Sequence, residues 1–360
     1  MYQLPSLEIR INSFAELGKV LGKVAKSFDN AEPDFSNQYP GLNDALLSAG
    51  QQNPWFTSDN IAFALKAWGK ALSPESLDLW VKLYADKIPV NPSKRIAVIM
   101  AGNIPLVGFH DFLSTLMAGC SFLGKLSASD KVLLPALAEI LCKIEPGFKP
   151  MIMLTEGKIS NFDAVIATGS NNTARYFEYY FATYPHIIRK NRNGTAVLSG
   201  NENNETLELL GGDICRYFGL GCRSVSKVFV PEGYDPRRLF IAVEPYKESL
   251  NNHYKYMNNY NYHRSVYLLN QTPHLDNGVT IITESSGYAA PIPVVNYEFY
   301  KNLPELRARL DEDKDLIQCI ASNALSGDKI VPIGGTQNPE LWDYADGVDT
   351  MAFLLSNQNT

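Results

Sequence analysis

Apolar residues recur at helical spacing over residues 12 to 27, where Phe14, Leu17, Val20, Leu21 and Val24 share one face and Asn12 or Ser13 stands where a cap belongs. A second helix is expected over about 59 to 71. A third starts at Pro74 behind a capping Ser73 and offers Leu77, Trp80, Leu83 and Tyr84 to one side. "PVNPSK", residues 89 to 94, breaks this pattern, and the rhythm changes. "RIAVIMAG" (95–102), "CSFLGKL" (120–126), "MIMLT" (151–155), "DAVIATG" (163–169) and "GTAVLSG" (194–200) read as short buried strands. Helical patterns over 106–118, 130–144 and 171–183 fall between them. A helix over 203–218, a strand over 225–230 and a mostly helical stretch over 233–263 follow. Strands at 278–283 and 291–297, a helix near 303–313, and apolar runs at 316–322 and 329–335 close the pattern. Strands alternating with helices predict an α/β fold with parallel sheet covered on both faces. The best boundary is near 200, where one set ends and another begins.

Composition narrows the class. The chain has 360 residues, 45% hydrophobic and 19% charged, ordinary values for a globular protein with a proper core. Its net charge of -6 argues against a general nucleic-acid binder. No run approaches about 18 apolar residues, so no transmembrane segment is expected. The start "MYQLPSLEIR" lacks the pattern of a signal peptide. The five cysteines, at 120, 142, 215, 222 and 319, form no CxxC pair, and no His/Cys spacing fits a metal. A reduced, cytoplasmic, metal-free protein is the expectation.

Four of the cysteines sit in apolar elements. Cys222, in "FGLGCRSVSKVFV" (218–230), instead follows Gly219-Leu220-Gly221 at a corner between a helix and a strand. With Arg223 beside it, the thiol suits a nucleophile, which must act as thiolate; the alternative is a small packing residue. Asn103, after the strand in "AGNIPLVGFHDF" (101–112), is placed either to donate to a developing oxyanion or to cap a helix opening near Pro105. His110 reads as structural. Gly169-Ser170 in "ATGSNNTAR" ends a strand before a helix, a position that favours phosphate and also describes any strand-to-helix turn. Lys125 and Ser127 in "FLGKLSASD" suit a ribose 2′-phosphate, or are a solvated strand end. Glu284 in "TESSGYAAPIPVV" is either a ribose ligand or a loop acid.

The order of these pieces resembles the aldehyde dehydrogenase superfamily from about 95 to 355. More closely, it is similar to the acyl-CoA reductases typified by the fatty acid reductase of bacterial luminescence. The motifs are Asn103 in "GNIP", Lys125 in "GKLS", Gly169 and Ser170 in "ATGS", Cys222 in "GLGCRS", Glu284 in "TESSGYAAP", and "DYADGVDT" (343–350). The resemblance implies an aldehyde dehydrogenase-like fold: two doubly wound parallel-sheet domains with an N-terminal helical region. Residues 1–90 would be that helical region, 91–200 a Rossmann-like nicotinamide domain, 201–335 the catalytic domain and 336–360 a C-terminal segment. It further implies that Cys222 and Asn103 are catalytic, and that Lys125, Ser127, Gly169, Ser170 and Glu284 bind cofactor. The expected cofactor is NADPH, with NADH the alternative. The expected substrate is an acyl-CoA or an acyl carrier, with an acyl-supplying partner protein and a homodimer as the associations that go with the family.

One departure bears on direction. Aldehyde dehydrogenases use a Glu in an "LELGG"-like strand to activate deacylating water. The corresponding stretch here is "RKNRNGTAVLSGNE", with Asn193-Gly194 about where that acid would be. Without the base, hydrolysis of a thioacyl-enzyme is slow, while reduction does not need it. Two rivals stay open at this stage. One is an acyl-phosphate reductase using Arg192 and Arg223 as cations, and the other is a non-redox acyl carrier acylated on Cys222. The Tyr-rich segment 254–262 is read as the lining of an apolar tunnel or an oligomer contact, with 251–262 alternatively a mobile surface loop.

Overall fold

The computed structural model describes residues 4–29, 39–88 and 94–356. Most of "PVNPSK", residues 89–93, lies outside the described residues. The chain divides into two compact units, Met1–Lys190 with Glu340–Thr360, and Asn191–Pro339.

The first unit opens with four helices, Leu7–Asp29, Pro40–Gln52, Ser58–Ala71 and Pro74–Lys82. The first begins well before Asn12, and the Ser13 hydroxyl donates to the Ile9 carbonyl at 2.7 Å, so Ser13 back-bonds within the helix instead of capping it. Ser73 does cap its helix, accepting from Ser76 N–H. Leu83 faces solvent because the helix ends at Lys82; Leu77, Trp80, Val81 and Tyr84 form the buried face. The helix Pro40–Gln52 was not foreseen, although Leu42, Ala45, Leu46 and Ala49 are buried at helical spacing.

Its sheet contains β1 (Arg95–Ile99), β2 (Ser121–Lys125), β3 (Ile152–Thr155), β4 (Ala164–Thr168) and β5 (His186–Arg189), ordered β3-β2-β1-β4-β5. All pairings are parallel. Helices Phe109–Met117, Leu133–Ile144 and Asn171–Tyr180 make the crossovers. One sheet face packs through Phe112 and Phe122, whose rings meet edge-on at 5.0 Å, into a core that includes Phe14 and Phe148. On the other face Ala97, Leu123, Val165 and Ala167 pack against Phe162, Phe177 and Phe181. Burial on both faces is why these strands read as continuous apolar runs. The order reverses between β1 and β4, so the carboxyl ends of those two strands flank a topological switch point, where open α/β sheets take up ligands.

The "DYADGVDT" stretch belongs to this unit. Tyr344 is buried, accepts from Trp80 Nε1 at 2.7 Å and shares a 3.0 Å hydrogen bond with the Tyr84 hydroxyl. Deeper in, Arg189 at the end of β5 grips Asp111 with two hydrogen bonds of 2.6 and 2.7 Å and reaches Thr350 at 3.1 Å. The fork-to-fork geometry compensates two buried charges.

The second unit contains β6 (Asn193–Val197), β7 (Val225–Pro231), β8 (Leu275–Asp276), β9 (Ile281–Glu284), β10 (Val294–Tyr300), β11 (Ile317–Ala321) and β12 (Ile330–Val331). Their order is β12-β11-β6-β7-β10-β9-β8, parallel except for the β8–β9 edge pair. The run 194–200, grouped by pattern with the first strand set, is β6 in the middle of this second sheet. Helices Asn204–Cys215 and Leu303–Glu312 lie where the periodicity puts them. The Tyr/Asn-rich segment is not a loop: Tyr254–Leu269 is helical, capped by His253, whose ring accepts from Tyr256 N–H at 3.2 Å. Tyr256 and Tyr260, one turn apart, are buried, while Tyr254 and Tyr262 are exposed.

Among the described residues no helix is long and apolar enough to cross a membrane. Among them, too, no group of His, Cys, Asp and Glu is arranged to hold a metal ion.

Candidate active site

Cys222 is exposed, whereas Cys120, Cys215 and Cys319 are buried and Cys142 is half-buried. Burial pushes the Cys215 thiol up to about 12 and raises that of Cys142, which keeps both protonated at neutral pH. An exposed side chain in a turn is not a packing filler. The chain reaches that turn by an unusual path. Helix Asn204–Cys215 ends, and Tyr217 and Phe218 both adopt left-handed backbone at φ 53° and 56°, followed by Gly219 at 76°. Two consecutive non-glycine residues in that region store strain, which persists only where the surroundings impose it. Phe218 is held against the His253 ring, with centroids 4.1 Å apart and the planes tilted by 32°.

Cys222 and Arg223 are the central residues of a turn closed by a hydrogen bond from Ser224 N–H to the Gly221 carbonyl at 3.0 Å. The turn is seated on β6: Gly194 N–H donates to the Ser224 carbonyl at 3.1 Å. A Cβ at Gly194 would fall 2.5 Å from the Arg223 carbonyl oxygen and 2.7 Å from that of Ser224. Position 194 therefore holds glycine for close approach and has no room for an acid. Arg223 is tied by its Nε to the Thr336 carbonyl at 2.6 Å. Beside the turn, Ile214, Phe218, Val225, Tyr256, Pro291 and Val294 line a mainly apolar cavity of about 30 Å³, room for one water-sized group.

Glu284 ends β9 and is exposed. Register through Tyr297 sets it level with Val228, at the carboxyl end of its strand, whereas Cys222 precedes the amino end of β7. The loop after Glu284 is fixed from below. Lys227, fully buried in β7, donates from Nζ to the Ser285 carbonyl and to Glu298 Oε2 at 2.6 Å. Desolvation lowers the Lys227 ammonium pKa and Glu298 opposes that. Asn296 donates to the Gly287 and Ala289 carbonyls. Sequence reading passed over both residues; the only signal for Lys227 was a lone charge inside an apolar strand.

In the first unit, Asn103, Lys125, Ser127, Gly169 and Ser170 all lie at or just beyond the carboxyl ends of the adjacent strands β1, β2 and β4. Asn103 is not a helix cap, because the helix opens at Phe109 with Gly108 as its cap, and the chain bends at 103–104 and turns over 105–108. Lys125 Nζ donates to the Gly157 carbonyl at 2.9 Å. Ser170 caps helix Asn171–Tyr180, accepting from Thr173 N–H at 3.2 Å. Two residues that sequence reading missed stitch these loops together. Asn53 donates to the carbonyls of Gly102 and Ser129 at 3.3 and 3.2 Å. Asp130 accepts from Leu106 N–H and Leu133 N–H, with burial raising its carboxyl pKa. At Gly102 a Cβ would fall 2.5 Å from Ser127 Oγ, so bare backbone is required there. His110 has its ring packed among Trp68, Trp80 and Tyr344, with Nε2 2.9 Å from the Leu341 carbonyl, and desolvation holds it below the ordinary 6.5.

Sheets and loops of this kind define an aldehyde dehydrogenase fold, and solved structures of that class superpose on the chain. Aldehyde dehydrogenase 21 from Physcomitrella patens, in complex with succinate, is 12% identical with a TM-score of 0.60, over 98% of this chain and 87% of that one. A variant of the P. syringae indole-3-acetaldehyde dehydrogenase AldA, in complex with NAD+ and IAA, is 12% identical with a TM-score of 0.61, over 89% and 72%. The Mycobacterium tuberculosis aldehyde dehydrogenase complexed with NAD+ is 15% identical with a TM-score of 0.55, over 82% and 70%. The chain belongs to the LuxC acyl-CoA reductase family, whose family model matches residues 20–244, more than half its length. No curated protein matches the chain.

Proposed function

We propose that the protein reduces an acyl thioester, a fatty acyl-CoA, to the aldehyde through a thioacyl intermediate on Cys222, with NADPH as reductant. The observation that carries this is Cys222 itself, an exposed thiol on a turn pinned to β6 in a chain of the acyl-CoA reductase family.

The Cys222 thiolate attacks the thioester carbonyl, forming a C–S bond as the bond to the CoA sulfur breaks. The CoA thiolate leaves and takes up a proton. The backbone N–H of Cys222 is a donor for the oxyanion, and Asn103 is assigned the same role through its side-chain amide. When bound, nicotinamide supplies the hydride that the acyl carbon needs. Cys222 then leaves as thiolate and the aldehyde departs, so the sulfur ends as it began.

A dinucleotide fits the first unit on its own features. The strand order reverses between β1 and β4, a capped helix N-terminus follows β4, and Lys125 supplies a cation at the end of β2. Within that unit, Gly169 and Ser170 would hold phosphate, and Lys125 and Ser127 the adenosine ribose with its 2′-phosphate; Glu284 belongs to the second unit, and its ribose role is what the resemblance implies. The NAD+ complexes among the structural neighbours support a nicotinamide cofactor. Asn193-Gly194, about where the deacylating acid would be, carry no acid, and a side chain at Gly194 would strike the Arg223 and Ser224 carbonyls, which supports reduction over hydrolysis. The acyl-phosphate alternative would call on Arg192 and Arg223, which donate to the Lys314 and Thr336 carbonyls at 3.1 and 2.6 Å and keep their charge; it shares the fold and differs in the acyl donor.

The test is nicotinamide absorbance with acyl-CoAs of stepped chain length, acyl phosphate, NADPH and NADH. Acyl-CoA-dependent oxidation of NADPH, lost in Cys222→Ala, is expected. An undiminished rate in Cys222→Ala would overturn the reading. Acyl phosphate as the sole substrate would replace it with the rival reductase.

A further inference from the structure

Asp213 is fully buried in helix Asn204–Cys215, and the mechanism above does not use it. Its carboxylate gathers three donors from one loop. Oδ2 accepts from Gly334 N–H at 2.6 Å, and Oδ1 accepts from Thr336 N–H at 2.9 Å and from the Thr336 hydroxyl at 2.7 Å. That loop in turn holds the residues that follow Cys222. The Thr336 carbonyl accepts from Arg223 Nε at 2.6 Å, and Gln337 Nε2 lies 3.5 Å from Ser224 Oγ and 3.3 Å from Thr336 Oγ1. Burial raises the Asp213 carboxyl pKa, and the three donors and the Arg223 charge oppose that. A buried carboxylate is a costly way to stabilise a loop, since apolar residues often serve stability as well or better. What it supplies here is direction: its two oxygens dictate where the Thr336 carbonyl points.

We propose that Asp213 is a positioning residue for Cys222: through Thr336 it anchors Arg223, and so fixes the turn that presents the thiol. The inference rests on the reading of Cys222 as nucleophile. Its chemical consequence is that the Arg223 cation, on the residue next to Cys222, is held in one place, and a fixed cation near a thiol favours thiolate.

Asp213→Asn puts an amide N–H2 against at least one N–H or O–H donor of the loop, so the anchor is broken with almost no change of volume. Thr336→Val removes the hydroxyl contact, and Thr336→Ser keeps it. Each full-length variant is compared with wild type and Cys222→Ala in two readouts, with thermal melting as the check on folding. The first readout is the pH dependence of Cys222 alkylation by iodoacetamide, followed by peptide mass. The second is kcat and KM for acyl-CoA reduction. In Asp213→Asn the alkylation midpoint moves to higher pH and kcat falls by about 100-fold, while KM for NADPH is unchanged. Thr336→Val shifts both in the same direction, and Thr336→Ser stays close to wild type. If Asp213→Asn fails to fold, the Thr336 pair decides.

The alkylation profile reports the setting of the thiol whether or not Cys222 carries the reaction. An unshifted profile in folded variants overturns the positioning role. A shifted profile in a protein whose Cys222→Ala variant still turns over upholds the positioning and overturns the nucleophile.

Discussion

Gly194→Ala tests how rigidly the turn that carries Cys222, the proposed nucleophile, is seated. The added Cβ would lie 2.5 Å from the Arg223 carbonyl oxygen, 2.7 Å from the Ser224 oxygen and 2.9 Å from the Arg223 carbonyl carbon. Real Cβ contacts essentially never fall below 3.0 Å, and all three atoms are backbone, so no side chain can rotate away. The turn must retreat from β6 by at least about 0.5 Å, straining the Gly194 N–H to Ser224 carbonyl bond of 3.1 Å. Overpacking of this kind costs about 1–3 kcal/mol. A nucleophile displaced by that distance loses about tenfold in rate. Thermal melting, iodoacetamide labelling of Cys222 and acyl-CoA-dependent NADPH oxidation are measured together. A lower melting temperature with slowed labelling and turnover is expected. A Gly194→Ala protein that melts, labels and turns over like wild type would refute the claim that β6 fixes the turn.

Two further outcomes follow from the first unit. Lys125→Ala should raise KM for NADPH by about tenfold, the worth of a charge-assisted hydrogen bond, and leave KM for NADH near its wild-type value; equal effects on both cofactors contradict the assignment. The native pKa of His110 is depressed by burial, so its contribution to stability is complete above 6.5 and is lost as pH falls through that lowered value. Urea unfolding followed by tryptophan fluorescence reads this unit, because Trp55, Trp68, Trp80 and Trp342 all lie in it. Below pH 6.5 wild type should lose up to about 1.4 kcal/mol per pH unit more than His110→Gln, and parallel curves would contradict the sign.

The fold was legible where local pattern and tertiary burial coincide. β1, β2 and β4 are buried on both faces and so stand out as apolar runs. The turn around Cys222 was legible because glycines flank a cysteine outside any apolar element. The family resemblance drawn from those motifs agrees with the family match and the aldehyde dehydrogenase fold. What was missed has a common cause. Asp213 meets Thr336, Lys227 meets Glu298, and Asn53 meets Ser129, pairs far apart in sequence, so no local window contains both members. β6 was grouped with the wrong strands because adjacency in sequence does not fix adjacency in a sheet. The Tyr/Asn-rich helix hid behind composition, since only Tyr256 and Tyr260 mark its inner face.

Intact-protein and peptide mass spectrometry after mixing with acyl-CoA, in the absence of nicotinamide, tests the central claim most directly. The expected result is one acyl group added to wild type, mapped to the peptide carrying Cys222, released when NADPH is supplied, and missing in Cys222→Ala. Reduction of acyl-CoA with no adduct at Cys222, or with the adduct on another residue, would contradict it.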